Sequence, residues 1–325
     1  MKPIIALLEG GYTPEAVISQ QSADTIYKHI DHDLFDVYRV KILPQTWEVL
    51  VDEKWETINK ADFTFIKHNK KVAFNAVFNM VHGHPGENGI IQAYFDLLNL
   101  PYTGGDVLNM ALTFNKKATT TALGYRGFKV AKSIALRKGQ SYDLKESLSE
   151  LKLPLFVKPN TAGSSLGISK VREWNGIASA ITSAFEQSDE VIIEEMMVGT
   201  EVTSGVIKLN GKITALPVTE IVCANDFFDY DAKYEAESTQ EITPARIPEA
   251  MYQKVQRTAE QVYDTLNCAG FVRVDFILHH NEPCIIEVNT IPGMSKRSLV
   301  PQQMAYANIS LTTFITDLLT DILPK

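Results

Sequence analysis

The chain has 325 residues, of which 45% are hydrophobic and 22% are charged, and its formal net charge is −8. This is the composition of a globular protein, and the length predicts two or three domains of roughly 100–200 residues each. The acidic balance argues against general binding to nucleic acid or to anionic membranes, because both require a basic surface.

The cysteine spacing and the N-terminal residues indicate in which cellular compartment the protein is expected. Cys223, Cys268 and Cys284 are scattered without CxxC spacing, which favours reduced thiols in a cytosolic protein. The apolar run at residues 4–8 is too short for the core of a signal peptide. No run approaches the ~18 apolar residues of a membrane span. We therefore expect a soluble, cytoplasmic protein.

The first third of the chain alternates strand and helix patterns. PIIALLE before GGYTPEAVISQQSADTIYKHI, and AFNAVFNMVHG before NGIIQAYFDLLNL, each predict a strand, a turn and a helix. This order predicts an α/β, Rossmann-like domain over residues 1–104 with an open, mostly parallel sheet. Ligands gather at the carboxyl ends of such strands, where Gly10, Gly11, His82 and Gly83 lie.

Residues 105–189 are predicted to form a smaller α+β unit around a loop rich in glycine and serine. The strand LPLFVK ends at Lys158, and Gly163, Ser164, Ser165 and Gly167 follow. Such a loop lets backbone N–H groups approach phosphate oxygens, although by itself it is as compatible with an ordinary turn. The lysine precedes the glycines, so the loop is not the P-loop GxxxxGK[ST].

The last hairpin, in the third predicted unit (residues 190–325), carries a polar face. Period-two alternation in VRVDFIL places Arg273 and Asp275 on one face, and alternation in CIIEVN does the same for Glu287 and Asn289. HHNEP makes the turn. Two carboxylates and an amide oxygen suit Mg²⁺ shared with phosphate. The alternative, a solvated face with an incidental ion pair, does not explain why polar residues interrupt an apolar strand.

A long polar segment, NDFFDYDAKYEAESTQEIT at residues 225–243, has no clean period. Structureless loops of this length in compact domains are usually lids or binding loops, or else disordered. Aromatic residues and a lysine within it favour a lid. A strand lysine, a glycine–serine loop and a metal-binding face together predict a loop that closes over nucleotide phosphates.

Motifs along almost the whole chain resemble those of the D-alanine–D-alanine ligases, members of the ATP-grasp superfamily. HGHPGENGIIQ resembles HGxxGEDGxIQ, with Asn88 where aspartate is usual, and PYTGGDVLNMALTFNKKATT resembles GSGVxxSAxxMDK. FVKPNTAGSSLGISKV, VIIEEMMVGTEV, YDAKY, RVDF, EVNTIPGMS and SLVP follow in the family's order. The resemblance implies a two-lobed ATP-grasp fold after the N-terminal domain.

The resemblance also implies an activity. One D-alanine carboxylate attacks the γ-phosphate of ATP, and the amine of a second D-alanine attacks the resulting acylphosphate, giving a dipeptide for peptidoglycan. It implies ATP, two Mg²⁺ ions (or Mn²⁺) and a homodimer. The alternatives are an ATP-grasp dipeptide ligase with another first amino acid and a catalytically silent nucleotide-binding regulator.

Carried over by position, the resemblance implies the following site residues. ATP would contact Lys116, Lys158, Ser165, Lys233, Glu194, Glu195, Met197 and Glu201. The metal ions would be held by Asp275, Glu287 and Asn289, and the oxyanion by Arg273. The second substrate's carboxylate would meet Ser298 and Leu299, and Ser164 and Tyr234 would connect to the N-terminal domain across the closed site.

His82 is matched to a residue that contacts the first substrate, and Glu87 to the carboxylate that orients this histidine. Without the resemblance, His82 would be interpreted as a satisfied core histidine and Glu87 as a charge in the first turn of a helix. A metal site at His82 and His84 would lack a third ligand at matching spacing.

The chain departs from the family at the first glycine turn. The family reads GG-x-x-x-E-x-E-V-S, and its second glutamate is expected to hold the ammonium of the first D-alanine. GGYTPEAVIS places Val17 at that position and Glu15 at the first glutamate. Either Glu15 reaches in from two residues earlier, or the first substrate is held differently.

Overall fold

The computed structural model describes residues 2–161, 167–209, 211–223 and 239–324. None of the helices in these ranges is long and apolar enough to cross a membrane.

The N-terminal residues form a mixed five-stranded sheet in the order β4-β3-β2-β1-β7. Its strands are β1 (Ile4–Gly10), β2 (Asp36–Ile42), β3 (Trp47–Val51), β4 (Lys54–Thr57) and β7 (Ala76–Asn79). A separate hairpin consists of β5 (Thr64–Lys67) and β6 (Lys70–Ala73). β1 pairs in parallel with β2 and β7, as predicted. β3 and β4 extend the sheet in antiparallel fashion, because the short links between them leave no room for a crossover helix.

Helices follow the parallel strands and set the end of the sheet at which the site lies. They are α1 (Ala16–His29) after β1 and α2 (Ile90–Leu97) after β7. Residues 5–8 of β1 are completely buried, which is typical of a strand covered on both faces. The carboxyl ends of β1 and β7 therefore open side by side, with the glycine turn on one and His82 on the other.

The central unit is an antiparallel four-stranded sheet in the order β10-β9-β11-β8. Its strands are β8 (Ser133–Arg137), β9 (Leu155–Pro159), β10 (Ser169–Val171) and β11 (Glu190–Glu195). Its helices are α3 (Val107–Phe114), α4 (Lys116–Tyr125), α5 (Leu144–Ser147) and α6 (Ile177–Ala184), with a 3₁₀ turn at Trp174–Gly176. Because β11 lies inside this sheet, the pairing favours a lobe boundary after Glu195 and not at the predicted 189/190.

The C-terminal sheet has the order β15-β14-β12-β16-β17, with β13 paired to β12. Its strands are β12 (Thr200–Leu209), β13 (Lys212–Ala215), β14 (Thr219–Cys223), β15 (Thr239–Ile242), β16 (Phe271–His279) and β17 (Glu282–Asn289). Its helices are α7 (Glu249–Thr265), α8 (Leu299–Tyr306) and α9 (Leu311–Ile322). Residues 239–242, predicted as part of the lid, thus form an edge strand. Residues 224–238 of that segment lie outside the described ranges.

One apolar cluster joins the N-terminal sheet to the C-terminal lobe. Ile5 and Phe78 of the first sheet pack in the same buried cluster as Phe271 of β16 and Phe314 of α9. The rings of Phe271 and Phe314 meet edge to face at 5.8 Å between centroids. Because this cluster is continuous, the carboxyl ends of β1 and β7 are held against the polar face of the last hairpin.

Candidate active site

The hairpin of β16 and β17 assembles the polar face that the alternation predicts. Arg273 lies opposite Asn289, and Asp275 lies opposite Glu287. The turn residues His280 and Asn281 have φ of 50° and 60°, as a type I′ hairpin turn requires at both central positions. The tight turn sets the register from His279 to Phe276, and a β-bulge between Asp275 and Phe276 then shifts the pairing by one residue. The shifted register places all four polar side chains on one surface.

Asp275 is the centre of this surface because both of its carboxylate oxygens accept hydrogen bonds. Arg273 donates from Nε and Nη2 at 2.8 and 2.7 Å, and Asn289 donates from Nδ2 at 2.9 Å. Thr203 on β12 donates its hydroxyl at 2.6 Å. The sequence did not single out Thr203; its position opposite Asp275 follows only from the pairing of β12 with β16.

Arg273 is a buried cation held among carboxylates. Burial alone would lower its pKa, but Asp275, Glu287 and Glu201 raise the pKa above its ordinary value. The guanidinium therefore stays charged, and its bidentate bond to Asp275 fixes its plane. A fixed, desolvated cation of this kind can stabilise an oxyanion that develops during a reaction.

The two lysines predicted to hold phosphate each face a carboxylate. Lys116, the first residue of α4, has its Nζ 3.1 Å from Glu287 Oε2. Burial would lower the pKa of Lys116, but the carboxylates of Glu287, Glu15 and Glu87 raise it. Lys158 on β9 is 5% exposed, and its Nζ lies 2.5 Å from Glu194 Oε1 on β11. Both ammonium groups are therefore held in place, and for Lys158 this agrees with the fixed height that the sequence predicts for a strand lysine.

Glu15 lies at the opposite end of the site, against the turn after β7. A Cβ atom at Gly83 would lie 3.0 Å from Glu15 Oε2 and 2.9 Å from Thr13 Oγ1, and Gly83 has a φ of +64°. A side chain at this position would be strained by the backbone conformation and crowded by Thr13 and Glu15. The carboxylate of Glu15 also acts electrostatically on Glu87 and Lys116, so Glu15 lies near one residue that the resemblance assigns to the first-substrate subsite and one that it assigns to ATP.

Val17 points away from this surface. It is 58% exposed, whereas Ser19 and Ser22 on α1 are completely buried. At 100° per residue, position 17 lies on the side of the helix opposite positions 15, 19 and 22. Of the two positions, Glu15 is therefore the one whose side chain faces the cleft.

His82 is buried and neutral. Burial and the charge of Arg273 lower its pKa to about 4. Its Nε2 lies 3.4 Å from Ser22 Oγ, which itself accepts a hydrogen bond from Met294 N at 3.0 Å. Ser22 thus connects α1, His82 and the loop after β17, a role that its sequence position alone did not reveal.

Glu87 bonds to backbone groups on both sides of the cleft. Its carboxylate accepts from Gly83 N at 2.6 Å and from Ile291 N at 3.3 Å. Within the described ranges it makes no hydrogen bond to His82, so the expected direct orientation of His82 by Glu87 is not observed. Burial and the charge of Glu15 raise the pKa of Glu87 to about 8.

Of the remaining residues predicted to contact ATP or the second substrate, only some lie near the phosphate lysines. Alternation turns Glu194 toward Lys158, whereas Glu195 Oε1 accepts from Lys152 N at 2.9 Å on the other face. Met197 follows β11, and Glu201 lies on β12 opposite Ile277. Ser298 is the N-cap of α8, directly before Leu299. Ser164, Ser165, Lys233 and Tyr234 lie outside the described residues.

The polar face also fits a divalent cation. Asp275, Glu287 and Asn289 place two carboxylates and one amide on adjacent strands, the hard oxygen donors that Mg²⁺ prefers. Arg273, Thr203 and Asn289 already order the Asp275 carboxylate, as the partners of a metal ligand commonly do.

Comparisons with known proteins agree with this geometry. Family models described as the D-ala D-ala ligase N-terminus and C-terminus match residues 4–105 and 122–320. A D-alanine–D-alanine ligase of Christiangramia forsetii is 48% identical over 96% of this chain and 95% of that protein. One from Phocaeicola vulgatus is 43% identical over 98% and 99%.

Solved structures match over the same extent. The VanG D-Ala:D-Ser ligase from Enterococcus faecalis superposes with a TM-score of 0.88 at 30% identity, covering 98% of this chain and 99% of that one. A D-alanine–D-alanine ligase from Bacillus anthracis complexed with ATP has a TM-score of 0.78 at 26% identity, covering 98% and 97%.

The raised pKa of Glu87 predicts a dependence of stability on pH. Between its ordinary value of 4.5 and about 8, the folded state holds a proton that the unfolded state releases. The free energy of unfolding should therefore fall as pH rises through this window. Glu87→Gln removes this titration. Denaturation at about pH 5 and pH 8 should show the wild type losing stability relative to Glu87→Gln, by at most about 1.4 kcal/mol per pH unit. As a control, Glu173→Gln at an exposed position should lose as much stability between the two pH values as the wild type does. If Glu87→Gln also loses as much stability as the wild type, the assignment of the raised pKa to Glu87 is contradicted.

Proposed function

The chain belongs to the D-alanine–D-alanine ligase family, and from this premise we propose that it joins two D-alanine molecules while ATP is converted to ADP and phosphate. The dipeptide serves as a peptidoglycan precursor. The observation that carries the proposal is the surface centred on Asp275, where a fixed arginine, a half-buried lysine and carboxylate and amide oxygens meet in one cleft.

The proposed reaction has two steps. The carboxylate of the first D-alanine attacks the γ-phosphate of ATP, which gives an acylphosphate and ADP. The amine of the second D-alanine then attacks the acyl carbon, the C–O bond to phosphate breaks, and the amine loses a proton. Phosphoryl transfer depends mostly on positioning and charge neutralisation. We assign these roles to Lys116 and Lys158 for the phosphates and to Arg273 for the oxyanion of the second step.

The residues at the two ends of the cleft are assigned to substrate groups of opposite charge. Glu15 is assigned to the ammonium of the first D-alanine, because burying an ammonium unpaired would cost several kcal/mol. The N-terminus of α8 at Ser298 and Leu299 is assigned to the carboxylate of the second, since helix N-termini favour anions. The neutral His82 beside Arg273 is assigned to contact with the first substrate.

We further propose that Asp275, Glu287 and Asn289 hold Mg²⁺, with Mn²⁺ as a substitute, and that two ions are bound with ATP. When bound, the ions neutralise phosphate oxygens. Glu287 would hold the ion from the same position in which it pairs with Lys116, so the metal site and the phosphate lysine would be adjacent.

A panel of amino acids tests the proposed function. Phosphate release is measured with ATP and Mg²⁺ plus D-alanine, D-serine, glycine or L-alanine, and the products are identified by mass spectrometry. We expect phosphate release when D-alanine is the only amino acid supplied, together with formation of the dipeptide of two D-alanines. Release that requires a different first amino acid would favour the wider dipeptide-ligase alternative. No release with any pair would contradict the proposal.

We also propose that the enzyme acts in the cytoplasm as a homodimer. Two adjacent helices present an apolar surface: Ile90 and Leu97 on α2 are 54% and 83% exposed, and Leu108 on α3 is 74% exposed. α3 carries no charged residue, and Asp96 is the single charged residue of α2. An uncharged apolar patch is complementary to itself and suits a two-fold interface.

The homodimer proposal predicts that charge on the apolar surface separates the subunits. Leu97→Lys and Leu108→Lys should shift the sedimentation coefficient of a dimer to that of a monomer, because a lysine opposite its own copy is buried unpaired. Leu34→Lys, at a 49% exposed leucine elsewhere, is the control. A dimer that both surface variants leave intact would place the interface elsewhere.

For the metal assignment, we expect Glu287→Gln to reduce turnover by about 100-fold or more while the fold is retained. Loss of the carboxylate removes neutralisation worth several kcal/mol, at 1.36 kcal/mol per tenfold. Phosphate release is compared with that of Glu282→Gln, which removes a carboxylate at the far end of the same strand, paired with Lys254. Near-normal turnover of folded Glu287→Gln would remove Glu287 from the metal site.

For the first-substrate subsite, Glu15→Gln should raise the KM for the first D-alanine by roughly 10-fold or more, at ~1.4 kcal/mol per decade. The reason is the loss of the anion that faces the ammonium. Val17→Glu is the matched control: its carboxylate would point to solvent, so both KM values should stay unchanged. A silent Glu15→Gln together with an altered Val17→Glu would reverse the assignment.

A further inference from the structure

Glu190, the first residue of β11, joins three segments of the central unit. Its Oε1 accepts from Arg137 Nε of β8 at 3.1 Å, and its Oε2 accepts from Asn115 Nδ2 at 3.2 Å. Oε2 also accepts a short hydrogen bond from Asn160 Nδ2. Burial would raise the pKa of Glu190, but these three donors lower it below its ordinary value. Glu190 is therefore an ionised acceptor at neutral pH.

Asn160 is the residue through which Glu190 reaches the ATP-binding elements. It is completely buried and follows the end of β9, two residues after Lys158. Its Oδ1 accepts from Lys117 N at 2.8 Å, and its carbonyl oxygen accepts from Lys116 N at 3.2 Å. Its own N–H donates to Glu190 O at 2.9 Å. One side chain thus ties the first turn of α4 to the start of the glycine–serine loop.

A second set of bonds holds the same junction. Asn115, the N-cap of α4, accepts from Ala118 N through Oδ1 while its Nδ2 donates to Glu190. Thr161 Oγ1 lies 3.0 Å from Ser188 Oγ, which accepts from Glu190 N at 3.3 Å. The backbone N–H groups that begin α4 are therefore occupied within the protein. α4 can reach a phosphate from this turn only through the Lys116 side chain.

We propose that Glu190 is a positioning residue for ATP: its carboxylate, acting through Asn115 and Asn160, sets Lys116 relative to Lys158. Glu190 bonds to groups on these neighbouring segments and is not among the residues assigned to any substrate. The inference rests on the proposed function, because it requires that Lys116 and Lys158 bind the ATP phosphates.

The first test is Glu190→Gln. A glutamine offers one acceptor oxygen where three donors converge, and its amide N–H groups face the other donors. We expect binding of adenylyl imidodiphosphate with Mg²⁺, measured by calorimetry, to weaken roughly 10-fold, since bonds to a charged group are the strong ones. The KM for ATP should rise by a similar factor, while both KM values for D-alanine stay unchanged.

Glu220→Gln is the matched control. Glu220 also accepts three hydrogen bonds, all from Arg246; among the described residues these bonds do not involve the elements that carry Lys116 and Lys158. It should lower the melting temperature by a similar amount and leave nucleotide binding unchanged. If Glu190→Gln lowers only the melting temperature, as the control does, the role of Glu190 is structural and the proposal is overturned.

Exchanging the amide of Asn160 and the carboxylate of Glu190 between the two positions gives a second, independent test. Asn160→Asp alone places a carboxylate against Glu190 and should weaken nucleotide binding at least as much as Glu190→Gln. The double variant Asn160→Asp/Glu190→Gln restores a donor opposite an acceptor, so its loss should be smaller than that of either single variant. Strictly additive losses in this cycle would contradict the coupling.

Measurements on the wild type distinguish failure of the proposed function from failure of the role proposed for Glu190. If the wild type neither binds the nucleotide nor releases phosphate with D-alanine, the proposed function fails. If the wild type does both and the Glu190 and Asn160 variants bind nucleotide normally, only the role of Glu190 fails.

Discussion

A buried charge must be paired, and this constraint organises the cleft. Three buried or half-buried cations, Arg273, Lys116 and Lys158, each lie against a carboxylate: Asp275 on the same strand for Arg273, Glu287 on β17 for Lys116 and Glu194 on β11 for Lys158. Leaving any of these charges uncompensated would cost several kcal/mol. The ion pairs therefore keep the cations ordered without a ligand, and an incoming triphosphate can replace one anion by another without burying new unpaired charge.

The cleft has polarity along its length, and this matches an amino acid substrate. Lys116 and Arg273 form a cationic end near the hairpin, whereas Glu15 lies against the turn after β7 in the N-terminal domain. A zwitterion can therefore direct its ammonium toward Glu15 and its carboxylate toward the cations. His82 lies between these ends and, being neutral, adds hydrogen-bonding capacity without another charge.

Packing makes this alignment possible, since the two ends of the cleft belong to different sheets. The apolar cluster that contains Phe78 and Phe314 holds the sheets together. Hydrogen bonds from Met294 N to Ser22 and from Ile291 N to Glu87 then fix the loop after β17 against α1 and the His82 turn. Apolar burial supplies the non-directional attraction, and the few polar bonds set the register of one domain against the other.

The sequence alone determined those features that depend on local periodicity or on motif order. Alternation was sufficient to place Arg273 with Asp275 on one face of β16 and Glu287 with Asn289 on one face of β17, and a strand ending at Lys158 implied a fixed lysine. The β-bulge that brings these two pairs onto the same surface was visible only in the structure. Tertiary structure decided everything that depends on which distant segments meet. Thr203 joins Asp275 through sheet pairing, Asn160 joins Glu190 across two strands, and Glu190–Glu195 belongs to the central sheet. It also decided between Glu15 and Val17, because the direction of each side chain depends on where α1 begins and which face it buries.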